Sequence, residues 1–275
     1  MDGSIDLTAY FTRIGYRGPA EPSLKVLTEI HRLHPQAIAF ESLDPLFGRL
    51  VRIDAASLER KLVQGGRGGY CFEQNGVLWR VLTQLGFKVS PLAARVRWMA
   101  SEDAPRSPLT HMLLKVDLPG GAFLADVGFG GQSPVAPLRL QAELDQLTPH
   151  GRYRLVQSAA AFELQMKLPD RWAAMYQFTL EPQTERDYEV FNWFTSTHPV
   201  SHFTSNLVAA RVVGERRLNL FNTQLTTYWP DGRSEIRILA GPGEVCEVLT
   251  GDFGLAVDPV DIERVFPRLP GPDQG

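Results

Sequence analysis

The change in hydrophobic periodicity near residue 87 constrains the fold of this 275-residue chain more than any other feature. Before that point, apolar residues recur every three or four positions, which is typical of amphipathic helices. After it, apolar and polar residues alternate, which is typical of β-strands. The helical and alternating segments form two blocks instead of a repeated strand–helix unit. The sequence therefore predicts an α+β protein with antiparallel strands.

Three helices are predicted in the first block. The first follows Ser23, a suitable N-cap residue. The second ends at Gly65 and Gly66, where glycine can adopt the left-handed conformation that closes a helix, and the third ends at Gly86. Asp54 or Ser57 would cap the second helix. The periodic positions are Leu24, Leu27, Ile30 and His34 in the first helix, Leu58 and Leu62 in the second, and Val77, Leu78, Val81, Leu82 and Leu85 in the third.

The second block predicts one strand followed by two hairpins. Residues 92–98 alternate in the manner of a half-buried strand. Two alternating segments that flank a tight turn predict a hairpin, and from about residue 190 the pattern is mixed. The hairpins comprise residues 112–118 and 122–127 around Pro119-Gly120-Gly121, and residues 162–168 and 172–178 around Pro169-Asp170.

The formal net charge of −3 and the absence of long apolar runs argue against several kinds of partner. Nucleic acid and anionic membranes both attract clustered positive charge, which this composition does not favour. No apolar run approaches the ~20 residues of a membrane-spanning helix, and the first residues are not typical of a signal peptide. The two cysteines, Cys71 and Cys246, are too few for a disulfide scaffold, so we expect a reduced, cytoplasmic location.

Cys71 lies between a glycine-rich loop, residues 65–69, and the third predicted helix. The unpaired N–H groups and the dipole of a helix N-terminus favour an anion. A cysteine there is favoured as the thiolate, which is the form that attacks carbonyl groups, and Arg67 could add to this effect. The alternative is that Cys71 is a small buried hydrophobic residue, as most single cysteines are. Its position makes it a candidate nucleophile without deciding between the two.

His111 is the histidine best placed to act as the base that a thiol nucleophile requires. It directly precedes the alternating residues 112–118 and so opens the first strand of the first hairpin, and Asp126 lies on the return strand. If residues 118–121 form the turn, Asp126 lies opposite Leu113, on the same face as His111 and one diagonal step away. A different turn length would separate them. Asp126 has apolar neighbours, and a histidine would stabilise a buried acid; alternatively, its carboxylate binds N–H groups of a turn.

Other polar and glycine-rich features give weaker indications. The remaining histidine pairs lack a third ligand close in sequence, so we do not expect a metal site. Residues 128–131 directly follow Asp126 and could present backbone N–H groups to a phosphate or to an oxyanion. The histidine pairs are His31 with His34, and His198 with His202.

Three motifs occur in the order cysteine, histidine, aspartate. They are residues 67–75 (RGGYCFEQN), 110–112 (THM) and 126–130 (DVGFG), with supporting segments at 40–43 (FESL) and 196–203 (STHPVSHF). Together these motifs resemble those of the arylamine N-acetyltransferase family in its bacterial form. The nine-residue cysteine motif is the most specific, and the resemblance extends over nearly the whole chain.

The resemblance implies a triad in which Cys71 is the nucleophile, His111 the general base and acid, and Asp126 the residue that orients the histidine. It implies ping-pong transfer of an acetyl group from acetyl-coenzyme A to an arylamine, arylhydroxylamine or hydrazine, through a thioester on the cysteine. No bound cofactor and no metal are expected. The positions that would line the cleft for coenzyme A and the amine are Val96, Trp98, Phe129, Gly130 and Phe203.

The resemblance also implies three domains and a monomer or weak homo-oligomer. A helical domain at 1–87 would carry the nucleophile, a β-barrel at 88–192 the histidine and aspartate, and residues 193–275 would form an α/β lid. Three alternatives remain at this point: a cysteine peptidase or transglutaminase-like enzyme with the same triad, an amide synthase of the same family, and a non-catalytic binding protein. The intact set of cysteine, histidine and aspartate argues against the last.

Overall fold

The chain has the predicted α+β architecture in a computed structural model that describes residues 3–101 and 103–271. All three helices predicted for the first block are present. A π-helical turn, Glu59–Gln64, continues the second of them, and two 3₁₀ turns occupy His202–Thr204 and Phe266–Arg268. The helices are α1 Leu7–Ile14, α2 Leu24–Ala37, α3 Leu43–Leu46, α4 Ala55–Leu58, α5 Cys71–Gln84, α6 Glu185–Thr197, α7 Pro242–Gly251 and α8 Pro259–Val265.

Local sequence signals explain where these helices begin and end. The Ser23 hydroxyl accepts the N–H of Val26 at 3.3 Å and begins α2. Asp54, not Ser57, is the N-cap of α4, since its carboxylate accepts the Ser57 N–H at 3.0 Å. The π-helical turn stops at Gly65, and Gly66 has the left-handed φ of 63° that the sequence led us to expect. These ends are confirmed because they depend on contacts within one turn.

Eight strands form a nearly closed barrel-like sheet in the order β5-β4-β3-β2-β9-β8-β7-β6. The two predicted hairpins are β3–β4 and β8–β9. The strands of this sheet are β2 Lys88–Val96, β3 Leu109–Leu118, β4 Gly121–Ala125, β5 Leu138–Arg139, β6 Gln146–Thr148, β7 Gly151–Ser158, β8 Ala161–Lys167 and β9 Trp172–Thr179.

A side chain joins the two edges of this sheet. The amide of Gln146 on β6 accepts the backbone N–H of Arg139 on β5 at 2.7 Å and donates to its carbonyl at 3.0 Å. The Gln146 side chain thereby occupies both hydrogen-bonding groups that an edge strand leaves unpaired. The N–H of Glu143 also donates to the Leu155 carbonyl on β7 at 2.8 Å, so the two ends of the sheet are connected by these contacts and not by a longer strand.

The second sheet contains a strand from the first half of the chain. Its order is β1-β10-β11-β12-β13, in which β1 is Phe40–Glu41, β10 Val208–Val213, β11 Arg216–Phe221, β12 Gln224–Tyr228 and β13 Ser234–Ile238. Residues 1–87 are therefore hydrogen-bonded to the C-terminal sheet. The boundary expected between residues 192 and 193 lies within α6, and the division into three domains stays a prediction.

Both faces of the strands next to α5 are buried. Met112, Leu114 and Val116 belong to the core that the N-terminal helices cover, whereas Leu113 faces the barrel interior. The segment Leu92–Ala94 is also fully buried, which the alternation of residues 92–98 did not predict. The reason is that α5 packs on the outer face of β2 while the barrel core covers the inner face.

The third core lies between the C-terminal sheet and the helices α7 and α8. Residues from the first half of the chain, including Leu43 and Phe47, pack in the same cluster as Leu218 and Leu249. Among the helices of the described residues, none combines the length and the apolar character needed to cross a membrane.

Candidate active site

Cys71 is the first residue of α5, as its position after the glycine-rich loop predicted. The side chain is buried, and the thiol donates to the carbonyl of Thr110 at 3.4 Å. Glu73, two residues further on, accepts the N–H of Tyr70 at 3.2 Å and so holds the first turn of the helix. The glycine-rich loop before Cys71 packs closely against the backbone at Ala39. A side chain on Gly68 would prevent this contact, because its Cβ would lie 2.0 Å from the Ala39 carbonyl oxygen.

His111 and Asp126 meet through the register that the sequence predicted. Leu118 pairs with Gly121, and Leu114 pairs with Ala125. Asp126 directly follows β4, and its Oδ2 lies 2.8 Å from Nε2 of His111. Cys71 lies beside His111, where it contributes to the raised pKa of the imidazole and contacts the carbonyl of the preceding residue, Thr110. The structure therefore brings the three predicted site residues together, with Asp126 hydrogen-bonded to His111 and Cys71 beside the imidazole.

Electrostatics favour the charged forms of His111 and Asp126. Burial alone would lower the pKa of His111, but the charge and hydrogen bond of Asp126, together with Cys71, raise it to about 10. Burial alone would raise the pKa of Asp126, but the charge and hydrogen bond of His111, with further hydrogen bonds, hold it below its usual value. Both directions favour an imidazolium paired with a carboxylate in this buried site.

The carboxylate of Asp126 accepts four hydrogen bonds. Oδ2 accepts from His111 and from the Tyr176 hydroxyl at 2.9 Å. Oδ1 accepts from Nδ2 of Asn75 and from the N–H of Gly128, each at 2.9 Å. Both alternatives considered for this residue are present together, since the carboxylate binds a histidine and also a turn N–H. Four donors fix its position and stabilise its charge.

Sequence reasoning missed three residues around Asp126. Asn75 lies one helical turn after Cys71, so its spacing could have placed both on one face of α5. Tyr176 gave no local signal, because it comes from β9 and its hydroxyl contacts Asp126 across the barrel. His31 on α2 accepts the backbone N–H of Asp126 at 3.0 Å. Burial lowers the pKa of His31 to about 4, so it is neutral and able to accept.

Arg67 has a different role from the one expected for it. Its guanidinium binds Glu41 at 2.7 Å and Asp44 at 3.2 Å. Next to it, Lys61 binds Asp44 and Glu73, both at 2.6 Å. The charge of Arg67 is therefore directed to carboxylates beneath the loop, and we assign it to the structure of the loop.

The aromatic positions predicted for the cleft lie around the triad. The ring of Phe129 packs edge-on against His111, with centroids 5.1 Å apart, and against Tyr176 at 5.2 Å. Phe203 packs edge-on against Tyr70, the N-cap of α5, at 5.7 Å. The site is consequently bordered by aromatic rings on the barrel side and on the side of the 3₁₀ turn.

The other three cleft positions lie at the end of β2 and in the segment after β4. Val96 pairs with Tyr176 across β2 and β9. Gly130 has a left-handed φ of 82°, and a Cβ there would contact the Phe40 ring at 3.5 Å. Trp98 follows β2 and is half-buried against the barrel core. Their contacts with a substrate stay predictions.

The remaining histidines are engaged in contacts with protein groups. His34 bonds to the Tyr10 hydroxyl at 2.8 Å and to Gln74 at 2.5 Å, and His198 stacks on Phe194. Within residues 3–101 and 103–271, no group of three or more histidine, cysteine or acidic side chains is arranged to hold a metal ion.

Comparison with known proteins identifies the family. A sequence model of a family described as N-acetyltransferase matches residues 23–262. An arylamine N-acetyltransferase of Mycobacterium tuberculosis is 42% identical over 98% of this chain and 99% of its own length. A Salmonella typhimurium protein named arylamine N-acetyltransferase / N-hydroxyarylamine O-acetyltransferase is 40% identical over 92% of this chain and 90% of its own.

A solved structure gives the same result. The arylamine N-acetyltransferase of Mycobacterium marinum in complex with CoA superposes with a TM-score of 0.92 and is 40% identical, covering 96% of this chain and 100% of its own. Both sequence and fold thus match from the N-terminal helices to the C-terminal sheet. The chain belongs to the arylamine N-acetyltransferase family of acyltransferases.

Proposed function

We propose that this chain transfers an acetyl group from acetyl-coenzyme A to an arylamine, arylhydroxylamine or hydrazine, through a thioester on Cys71. His111 acts as the acid and base, and Asp126 orients it. The observation that carries the proposal is the grouping of these three side chains at the start of α5, with Asp126 hydrogen-bonded to His111 and Cys71 beside it. Family membership favours this reaction over the peptidase and transglutaminase alternatives.

The first half-reaction loads the enzyme. The Cys71 thiol gives its proton to His111, and the resulting thiolate attacks the acetyl carbonyl. The bond between the carbonyl carbon and the sulfur of coenzyme A then breaks. The departing coenzyme A thiolate takes a proton from the His111 imidazolium. The N–H groups of Cys71 and Phe72, the first two of α5, stabilise the oxyanion, since N–H groups at the very start of a helix lack carbonyl partners within it. One thioester replaces another, so positioning matters more than driving force.

The second half-reaction regenerates the thiolate. The amine nitrogen attacks the thioester, His111 takes the proton that the nitrogen loses, and the Cys71 sulfur leaves beside the imidazolium so formed. An arylamine is neutral at pH 7 and can attack directly. The rings of Phe129 and Phe203, with Val96, Trp98 and Gly130, would bind a flat acceptor next to the thioester.

The two substrates are supported by the relatives. The Mycobacterium marinum structure contains CoA, which supports an acyl-coenzyme A donor. The name of the Salmonella protein includes N-hydroxyarylamine O-acetyltransferase activity, which supports both kinds of aromatic acceptor. Since one cleft serves donor and acceptor in turn, we expect ping-pong kinetics, with parallel lines in double-reciprocal plots.

Intact-protein mass spectrometry tests the proposal. The protein is mixed with acetyl-coenzyme A without amine, and a single acetyl adduct should form and then disappear when an arylamine or hydrazide is added. Cys71→Ala should give no adduct, whereas the matched control Cys246→Ala should be acetylated like the wild type. An equal adduct on Cys71→Ala, or none on the wild type, would refute the assignment.

A further inference from the structure

A small cavity lies between the loop that follows Asp126 and the C-terminal sheet. Gly130, Gly131 and Ser133 line it on the loop side, and Phe40, Arg217 and Asn219 line it on the sheet side. Its free volume is about 20 Å³, which is room for one or two particles of the size of water. The cavity therefore lies where the segment that carries Phe129 meets the C-terminal sheet.

Three polar atoms in the lining have no hydrogen-bond partner among the described residues. They are Oγ of Ser133, Nε of Arg217 and Oδ1 of Asn219. Ser133 and Arg217 are 5% and 6% exposed. Buried polar atoms in proteins are rarely left unpaired, and three residues that each carry such an atom line this one small cavity. Their grouping points to a ligand.

The charge of Arg217 indicates the sign of that ligand. Its other nitrogen atoms donate to neutral oxygens: the carbonyls of Gly131, Ser133 and His150 at 2.8–2.9 Å and the Tyr153 hydroxyl at 3.1 Å. Within the described part of the chain, no carboxylate forms an ion pair with it. A buried cation without a counter-ion is strongly unfavourable, so an anion is favoured over a neutral water molecule.

Asn219 can present a donor to an anion in this cavity. The oxygen and nitrogen of an amide exchange places when the group rotates by 180°. The side chain of Asn219 has no hydrogen bond within the described residues that would oppose the rotation. After rotation, Nδ2–H of Asn219, Nε–H of Arg217 and Oγ–H of Ser133 are unpaired donors on three residues that line the cavity.

We propose that this cavity binds a small monovalent anion of the size of chloride, held by Arg217, Ser133 and Asn219. The anion neutralises the buried guanidinium and links the loop to the C-terminal sheet. It thereby stabilises the segment from which Phe129 packs against His111. The proposal does not depend on the reaction proposed above, since acetylation of Cys71 is measured separately.

Two measurements on the full chain test the site. Thermal unfolding is followed while sodium chloride replaces sodium gluconate at constant ionic strength, because gluconate is too large for the cavity. We expect Tm to rise with chloride, following the logarithmic dependence of ligand binding to the folded state. A crystal grown in sodium bromide should show an anomalous peak next to Nε of Arg217.

Variants connect both signals to the named residues. Asn219→Asp supplies a carboxylate of nearly the same shape, so it should keep a high Tm that no longer depends on chloride. Ser133→Ala should weaken the chloride dependence, and Ser158→Ala, at an exposed position of β7, should leave it unchanged. Equal Tm in chloride and gluconate, a dependence that survives in Asn219→Asp, or a bromide peak without any Tm effect (an adventitious ion only) would each overturn the proposal.

Discussion

At the scale of single residues, the position of Asp126 depends on donors that come from four parts of the chain. Asn75 contributes from α5, Gly128 from the following turn, Tyr176 from β9 and His111 from β3. An asparagine at this position would keep the shape but lose the charge and place an amide NH₂ among donors. The result would be a misoriented histidine in a site that is otherwise folded.

We predict that Asp126→Asn lowers kcat/KM by roughly 10³–10⁴-fold, because His111 loses the charge that raises its pKa and fixes its orientation. Rates of arylamine acetylation are measured for the wild type and the variant, and circular dichroism checks the fold. Asp117→Asn on the same hairpin is the matched control and should retain activity. Near-normal activity of Asp126→Asn would show that another residue orients His111.

Gly128 is required because the backbone passes close to the catalytic helix. A Cβ at this position would lie 2.8 Å from Cα of Cys71 and 2.7 Å from Nδ2 of Asn75. We predict that Gly128→Ala displaces Cys71 and lowers kcat/KM by roughly 10²-fold. Gly243→Ala on α7, where nothing lies within 4 Å, is the control. Unchanged kinetics of Gly128→Ala would mean that the segment can move away without effect on the thiol.

At the scale of elements, α2 makes the protein sensitive to acid. His31 and His34 are both fully buried on this helix, and burial lowers the pKa of each from 6.5 to about 4. A histidine with a lowered pKa stabilises the fold above pH 6.5, and this stabilisation is lost as pH falls toward 4, because the unfolded chain binds more protons in that range. Each shift corresponds to about 3 kcal/mol when fully expressed.

We therefore predict that the free energy of unfolding falls between pH 6.5 and 4, and that His34→Gln reduces the slope. The pKa of Glu73, which burial raises to about 7, has the opposite effect, since its contribution is lost as pH rises from about 4.5 to 7. Urea unfolding gives the free energy of unfolding of the variant and of the wild type at pH 7 and at pH 4.5. Subtracting the wild-type value from the variant value at each pH removes the contribution of Glu73, which both proteins share. An equal slope in His34→Gln would contradict the assignment to α2.

The elements that the sequence predicted are those that local rules determine. Ser23 and Asp54 cap helices through residues two or three positions away, and the hairpin turn alone brings His111 and Asp126 together. Gln146 could not be predicted, because its contact with Arg139 depends on how the whole sheet curves. The contact of Tyr176 with Asp126 could not be predicted either, because it depends on the order of strands around the barrel and not on the hydrophobic period of any one strand.

At the scale of the whole molecule, the first and last parts of the chain are one structure. The two-residue strand β1 is too short to show a period, yet it pairs with β10 in the C-terminal sheet. Arg211 donates to the carbonyl of Gln36 at 2.9 Å, and the N–H of Ala256 donates to the carbonyl of Gly66 at the same distance. The glycine-rich loop before Cys71 is consequently held in place by Ala256, which lies close to the C-terminal end of the described chain.

This coupling predicts one unfolding transition and not three. If the segments 1–87, 88–192 and 193–275 were independent, hydrogen exchange in increasing urea would release β10–β13 and α5 at different concentrations. Because Leu43 and Phe47 share a core with Leu218 and Leu249, losing the C-terminal sheet would expose that core and free the loop that positions Cys71. We expect exchange of α5 and β10–β13 to share one midpoint, together with loss of acetyl transfer. A C-terminal sheet that exchanges first, while acetyl transfer to an arylamine persists, would show that the catalytic helix does not depend on it.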